Sequence, residues 1–180
     1  MPKSKLIILI YLVAGVGSTI HAVERPNILW LVIDDMGLEF SCYGEELIET
    51  PNIDRLARNG IRFTNAFLTS PVCSTARSSM ITGMYQTTIG AHNHLSGRGE
   101  RKIYLPGNVV PTPELFQEAG YFTSNGDYPK KGEGLGKNDY NFEWDEAMYD
   151  APYYRGRKSD QPFFAQLQLR IIFLLSFFSG

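Results

Sequence analysis

The run Val72 to Gly83, V-C-S-T-A-R-S-S-M-I-T-G, places a cysteine at the mouth of a short helix with an arginine four residues on. A thiol there sits among unpaired backbone N–H groups at the positive end of the helix dipole, which stabilises a nucleophile or an anion at Cys73. Arg77, one turn later, faces the same spot, and Thr82-Gly83 is a helix stop. Upstream, Asp34 and Asp35 close an apolar run. Adjacent carboxylates facing one crevice repel each other unless a proton or cation intervenes, and a hard divalent ion such as Ca²⁺ takes several oxygen ligands. In isolation such a pair is more often a helix cap or a solvated turn. Gly37 allows a sharp backbone turn just beyond it.

Other polar groups carry weaker signals. Lys137 lies in G-K-N-D-Y-N-F, and a loop lysine is usually solvated. His92 and His94 form an H-x-H, a spacing that can chelate a transition metal, but no third ligand accompanies it and a hard-ion site would not use imidazoles. His21 falls in the N-terminal apolar region. Cys42 and Cys73 could pair in an oxidising compartment, although the helix-mouth setting of Cys73 gives it a better explanation than pairing.

Elements must hold these groups in place. Asn27 to Ile33, N-I-L-W-L-V-I, reads as a strand buried on both faces of a parallel sheet, which puts Asp34-Asp35 at its C-terminal end, where open α/β sheets place their sites. Thr50-Pro51 opens a helix, with Thr50 as N-cap, Ile53, Leu56 and Ala57 as the inward stripe, and Asn59-Gly60 as the close. Ile61 to Phe67 alternates like a strand. The Thr-Pro punctuation recurs at Thr112-Pro113, predicting a helix to Gly120 with Leu115, Phe116 and Ala119 inward, followed by a strand over Tyr121 to Ser124. Asn125 to Lys158 is expected to form long surface loops facing a site, and Pro162 to Leu169 another strand. Strands and helices in alternation mean an α/β layered fold.

With 17 Lys+Arg against 19 Asp+Glu and a formal charge of −2, the chain lacks the basic balance that a nucleic-acid partner favours. Residues 1–22 have a basic start (Lys3, Lys5), an apolar stretch from Leu6 to Val16 and a small residue at Ala22, the pattern of a secretory signal peptide. The stretch is shorter than the roughly 20 residues a membrane span needs. The expected location is therefore secreted or periplasmic, without a stable membrane span. At Arg170 the character changes to I-I-F-L-L-S-F-F-S-G over 171–180, which reads as a frameshift or early stop.

Taken together, R-P-N-I-L-W-L-V-I-D-D-M-G and the Cys73–Arg77 helix resemble the sulfatases, over about Arg25 to Leu169. The resemblance implies a three-layer α/β/α sandwich of the alkaline-phosphatase-like type, with residues 23–170 supplying the N-terminal part of the catalytic domain. It implies that Cys73 is oxidised to formylglycine by a formylglycine-generating or sulfatase-maturating enzyme, and that Asp34, Asp35 and residue 73 hold Ca²⁺, with Mg²⁺ as the alternative. Arg77 and Lys137 would neutralise a sulfuryl group, with a substrate-facing role open to His92 and His94. The implied reaction is hydrolysis of a sulfuric ester or sulfamate, on a sulfated saccharide or an aryl sulfate. The sequence departs from the family pattern at Thr75, where proline is usual, and at Asp139, where a Gly-Lys-x-His element would have histidine. No later Asp-Asn or Asp-His metal pair follows Arg170, so this chain alone is expected to have little or no activity. The competing readings are a phosphodiesterase or phosphonate hydrolase of the same superfamily, a non-catalytic truncated product, and a binding domain linked by a Cys42–Cys73 disulfide.

Overall fold

The computed structural model describes residues 25–128 and 134–170; the expected signal peptide and the apolar tail lie outside these. Three parallel strands form the sheet, β1 (Ile28–Asp34), β2 (Phe122–Tyr128) and β3 (Phe163–Arg170), in the order β1-β3-β2. The helices are α1 (Pro51–Asn59), α2 (Cys73–Thr82) and α3 (Thr112–Glu118), all lying between β1 and β2 in sequence. Among the described residues no helix is long and apolar enough to cross a membrane.

Register sorts the strands into two faces. Trp30 pairs with Gln166 and Val32 with Gln168, while Gln166 pairs in turn with Asn125 and Gln168 with Asp127. Side chains alternate along each strand, so these residues share one face with Phe164 and Thr123. That face meets the core cluster of Ile81, Ile89, Ala91, Tyr140, Phe142, Met148 and Tyr149, against which Trp30 and Trp144 also pack. Phe116 of α3 stacks on Phe164 at 4.5 Å. The buried sheet residues Thr123, Asn125, Gln166 and Gln168 are polar, and Gln168, itself bonded to Asn125, supports the site through Arg77.

The opposite face is less covered. Leu29 and Leu31 of β1 are 55% and 41% exposed, so β1 is buried on one face rather than two. It is an edge strand among the described residues, and the segment Ala151–Gly156 shares with Leu29 and Leu167 the lining of a cavity over that face.

Other local expectations are corrected in the same way. Ile61 to Phe67 is not a strand: it pairs with nothing in the sheet, and Ile61, Phe63 and Phe67 stand exposed. Alternation without a ladder partner leaves backbone groups to water. Helix α1 buries no residue, and Leu56 faces solvent. The Thr50 hydroxyl does not cap it; it bonds Ser41 and the Asp54 carboxylate instead. In α3, Leu115 and Ala119 are exposed while Phe116 and Pro113 turn inward. Strand β2 continues to Tyr128, beyond the expected end at Ser124. The stretch after it is no mere surface loop, since Tyr140, Asn141, Phe142, Met148 and Tyr149 are buried.

Candidate functional site

Helix α2 is packed almost all round, with Ser74 to Ser79 and Ile81 buried. Small hydroxyl residues make this tolerable. Ser78 Oγ donates to the Ser74 carbonyl at 2.7 Å, and Thr82 Oγ1 to that of Ser78 at 2.7 Å, so these two hydroxyls donate within the helix while the backbone packs closely. Gly83 ends the helix in the left-handed region, at φ 66°. At its other end Val72 is the N-cap and offers no side-chain bond, leaving the N–H groups at the mouth uncapped beside Cys73.

The end of β1 meets this mouth. The chain turns at Asp35, which takes a positive φ of 56°, an uncommon conformation for a residue with a Cβ. The sharp turn is thus at Asp35 rather than Gly37, whose N–H is held by the Glu39 carboxylate at 2.6 Å. This bend lets adjacent carboxylates face one point: donor atoms of Asp34, Asp35 and Cys73 all lie within 4.8 Å of one another. Cys73 Sγ is 3.9 Å from Asp35 Oδ1. A cavity of about 350 Å³ opens on all three, walled by Trp30, Met36, Val72 and Met80. Cys42 and Cys73 are both free thiols.

Two cations close the cluster. Arg77, 4% exposed, donates from Nη2 to Asp34 Oδ1 at 3.2 Å and from Nη1 to Gln168 Oε1 at 2.6 Å and the Lys137 carbonyl at 3.4 Å, while Nε pairs in charge with Asp139 Oδ1 at 3.4 Å. Lys137 Nζ donates to Asp34 Oδ2 at 2.5 Å and lies 3.8 Å from Asp139 Oδ2. Burial alone would raise the Asp34 pKa, but the hydrogen bonds and charges of Lys137 and Arg77 outweigh it and hold the carboxyl below its usual range. Burial would lower the Lys137 pKa, and Asp34 with Asp139 reverses that, holding the ammonium above its usual range.

Lys137 arrives there from a distant stretch of chain by close packing. Its N–H donates to Asp127 Oδ1 at 3.0 Å, and the preceding Gly136 lies so near β2 that a Cβ would sit 2.6 Å from the Gly126 carbonyl carbon. Only glycine fits this approach.

The structure therefore brings Asp34, Asp35, Cys73, Arg77 and Lys137 together. His94 stands to one side, its Nδ1 2.9 Å from Ser74 Oγ, and His92 is exposed; neither lines the cavity that holds the three donors. Asp139 and Gln168 are members of the cluster that the sequence reading did not place in it. The signal for Gln168 was available: glutamine at alternate positions of an apolar strand, F-F-A-Q-L-Q-L, marks a buried face that must meet polar partners.

Paired acids at the end of a strand, beside a cysteine–arginine helix on a parallel α/β sheet, mark a site that joins a nucleophile position to a cation-binding one. A sequence model described as Sulfatase matches residues 26–171, and the chain belongs to that family. It is 38% identical over 157 residues to the ulvan-active sulfatase of Formosa agariphila, covering 79% of this chain and 24% of that protein. A structure from Bacteroides thetaiotaomicron described as a sulfatase superposes with a TM-score of 0.60 at 20% identity, over 84% of this chain and 36% of the other. A protein solved with its substrate D-glucosamine-2-N,6-O-disulfate gives a TM-score of 0.57 at 24% identity, over 81% and 34% of the two chains. At these identities the structures speak to fold, which is the alkaline-phosphatase-like α/β fold. The chain spans about a quarter of the length of its Formosa relative.

Proposed function

We propose that this chain carries the nucleophile and cation-binding part of a sulfuric ester hydrolase acting on sulfated saccharides, with Cys73 converted to formylglycine. The observation that carries the reading is the convergence of Asp34, Asp35 and Cys73 within 4.8 Å at the open mouth of α2, backed by Arg77 and Lys137.

The donor set fits a hard cation once position 73 presents oxygen. Two carboxylates suit Ca²⁺ or Mg²⁺, whereas a thiolate is a soft ligand that such ions avoid. A hydrated aldehyde at residue 73 would complete an all-oxygen set. Bound there, the cation would supply Lewis acidity, lowering the pKa of a hydroxyl at position 73 and drawing charge from sulfuryl oxygens. Formylglycine as its hydrate supplies two hydroxyls, one for attack on sulfur and one through which sulfate leaves as the aldehyde returns. Net hydrolysis breaks the ester S–O bond, consumes one water, and yields alcohol and sulfate.

The chain's own groups do the positioning. Arg77 and Lys137 place two positive charges beside the reacting group, where they oppose the charge of sulfuryl oxygens. Gln168 and Asp139 hold the Arg77 fork in one orientation. The uncapped N–H groups of α2 add further positive potential. Export through residues 1–22 to an extracytoplasmic site, and contact with a formylglycine-generating enzyme, belong to the same proposal.

The test is to express the chain with and without such an enzyme, read residue 73 by peptide mass spectrometry, and compare aryl sulfate with aryl phosphate turnover. Aldehyde at position 73, with Ca²⁺-dependent sulfate turnover lost in Asp35→Asn, is the expected result. Among the described residues three side chains offer a donor each, and waters or substrate oxygens would make up the six to eight oxygens that calcium usually takes. Dominant phosphate turnover would replace the reading with a phosphodiesterase or phosphonate hydrolase.

A further inference from the structure

A second cavity, of about 540 Å³, adjoins the ion cluster through Lys137 and Asp139 and extends to Arg98, Glu143 and Trp144. Its charges are unevenly matched. Lys137 is paired with Asp34 and Asp139, and Glu143 Oε1 with Lys102 Nζ at 3.2 Å. The Arg98 guanidinium has no ion pair or hydrogen bond among the described residues, and so faces the cavity without a counter-ion.

Arg98 is nevertheless held at a fixed place. It ends a short turn, Ser96–Arg98, whose backbone N–H bonds the Leu95 carbonyl at 3.0 Å. Leu95 N–H in turn donates to Ser74 Oγ at 3.0 Å, which ties the turn to the residue after Cys73. On the other side Gly97 packs on the backbone of Asn141, where a Cβ would lie 2.8 Å from the carbonyl carbon. Asn141 Nδ2 donates to the carbonyls of Ala91 and Asn93 at 3.0 and 2.8 Å, fastening the same loop to the segment that carries Lys137 and Asp139. A surface arginine with no internal partner is thus built on a backbone braced from both sides of the site. Trp144, half-buried and edge-on to Tyr140 at 5.4 Å, gives the cavity an aromatic wall of the kind on which the C–H face of a sugar ring packs.

We propose that this cavity is the subsite for the sugar next to the sulfated one, and that Arg98 selects substrates in which that neighbour carries an anionic group. The inference rests on the sulfated-saccharide reading above. The guanidinium fork suits either a uronate carboxylate or a second sulfate ester, both of which accept paired N–H donors. A neutral neighbour would leave Arg98 to water.

The experiment is calorimetric titration of the chain, in Ca²⁺, with three disaccharides that share an N-acetylgalactosamine 6-sulfate residue. The neighbour is galactose in the first, glucuronate in the second and a sulfated galactose in the third. The anionic neighbours are expected to bind about five- to tenfold more tightly than galactose, a preference of the size one partly exposed charge-assisted pair supplies. In Arg98→Gln that ratio should fall to within about twofold of unity, with Arg98→Lys in between. The second and third probes separate a carboxylate from a sulfate source. Because Arg98 is exposed, circular dichroism of the variants should match the parent. Trp144→Phe against Trp144→Leu provides an independent readout, with disaccharide affinity kept by the aromatic and lost by the aliphatic. A galactose-linked probe that binds as tightly as the anionic ones, or a ratio untouched in Arg98→Gln, overturns the subsite while leaving the sulfatase reading intact. Failure of all three probes to bind overturns both.

Discussion

Arg77 and Gln168 meet at 2.6 Å, guanidinium Nη1 on carboxamide Oε1, with both side chains buried. Gln168 passes the contact on, its Nε2 donating to Asn125 Oδ1 at 3.1 Å. The sheet face thus supports a buried cation whose carboxylate partners, Asp34 by hydrogen bond and Asp139 by charge, belong to the candidate site.

Gln168→Leu removes the acceptor and leaves a buried guanidinium N–H unpaired, at a cost of about 1–3 kcal/mol. Urea unfolding of the two proteins measures this. A loss below about 0.5 kcal/mol would mean that Arg77 finds a replacement partner. The same variant should weaken binding of inorganic sulfate, because the fork is freed to rotate. Gln168→Glu, which keeps an acceptor but adds a negative charge beside Arg77, should not restore that binding.

Asp139 places a negative charge within 3.4 Å of Arg77 Nε and 3.8 Å of Lys137 Nζ. With Asp34 it balances both cations, which diminishes their pull on an incoming anion. Asp139→Asn keeps the shape and removes the charge. Affinity for inorganic sulfate is expected to rise about three- to tenfold, measured by titration at constant ionic strength. Unchanged affinity would place the anion site away from this pair of cations.

Parts of this arrangement could be read from residue order alone, and the physical reason is locality. The apolar run Asn27 to Ile33, the Thr-Pro helix starts and the cysteine–arginine helix are patterns completed within a few residues, and each formed a strand or helix at its place, although β1 is covered on one face only and the Thr50 side chain does not cap its helix. Partnership is different. Ile61 to Phe67 alternates correctly for a strand but has no neighbour, and Leu29 and Leu31 belong to a face left open. Gln168 and Asp139 are 91 and 62 positions from Arg77 (168 − 77 and 139 − 77), so only the folded register discloses that they share its fork. The cluster could be anticipated for Asp34, Asp35 and Cys73 because a family pattern already joined them.

Thr75 is 1% exposed at the third position of α2, its Oγ1 2.8 Å from the Val72 carbonyl and 2.6 Å from Ser70 Oγ. Proline at this position needs no intrahelical N–H partner, since the first turn of a helix has none, and the first backbone bond of α2 is Ala76 N–H to the Val72 carbonyl at 2.9 Å. Thr75→Pro should therefore fold, at a cost of about 1 kcal/mol for the lost hydroxyl bonds. It also puts proline where the sulfatase pattern has it, in the stretch that the proposed maturating enzyme would read in the unfolded chain. The fraction of Cys73 converted to aldehyde, read by mass spectrometry after co-expression, is expected to rise. An equal fraction in both proteins would show that threonine is read as well as proline.

Tyr140 and Tyr149 share a buried hydrogen bond of 2.8 Å, and Tyr149 Oη donates onward to Gln166 Oε1 at 2.9 Å. Burial pushes the Tyr140 hydroxyl up to about 12, only partly offset by its bond to Tyr149. Burial raises Tyr149 further, aided by the charge of its neighbour. Both groups keep their protons in the folded state at pH values where the unfolded chain releases them. Stability is therefore undiminished below about pH 10, the unfolded tyrosine value, and falls as pH rises towards and through 12. The slope should be about 1.4 kcal/mol per pH unit for each tyrosine so held, hence about 2.7 for the pair. Tyr140→Phe removes one of them while leaving Tyr149 on Gln166, and should halve the slope. Urea unfolding midpoints between pH 9.5 and 11.5, about the range set by these values, provide the measurement. Tyrosinate absorbance gives the check: a fraction belonging to two residues should appear only as the protein unfolds, and its appearance beforehand would mean that the pair is open to water.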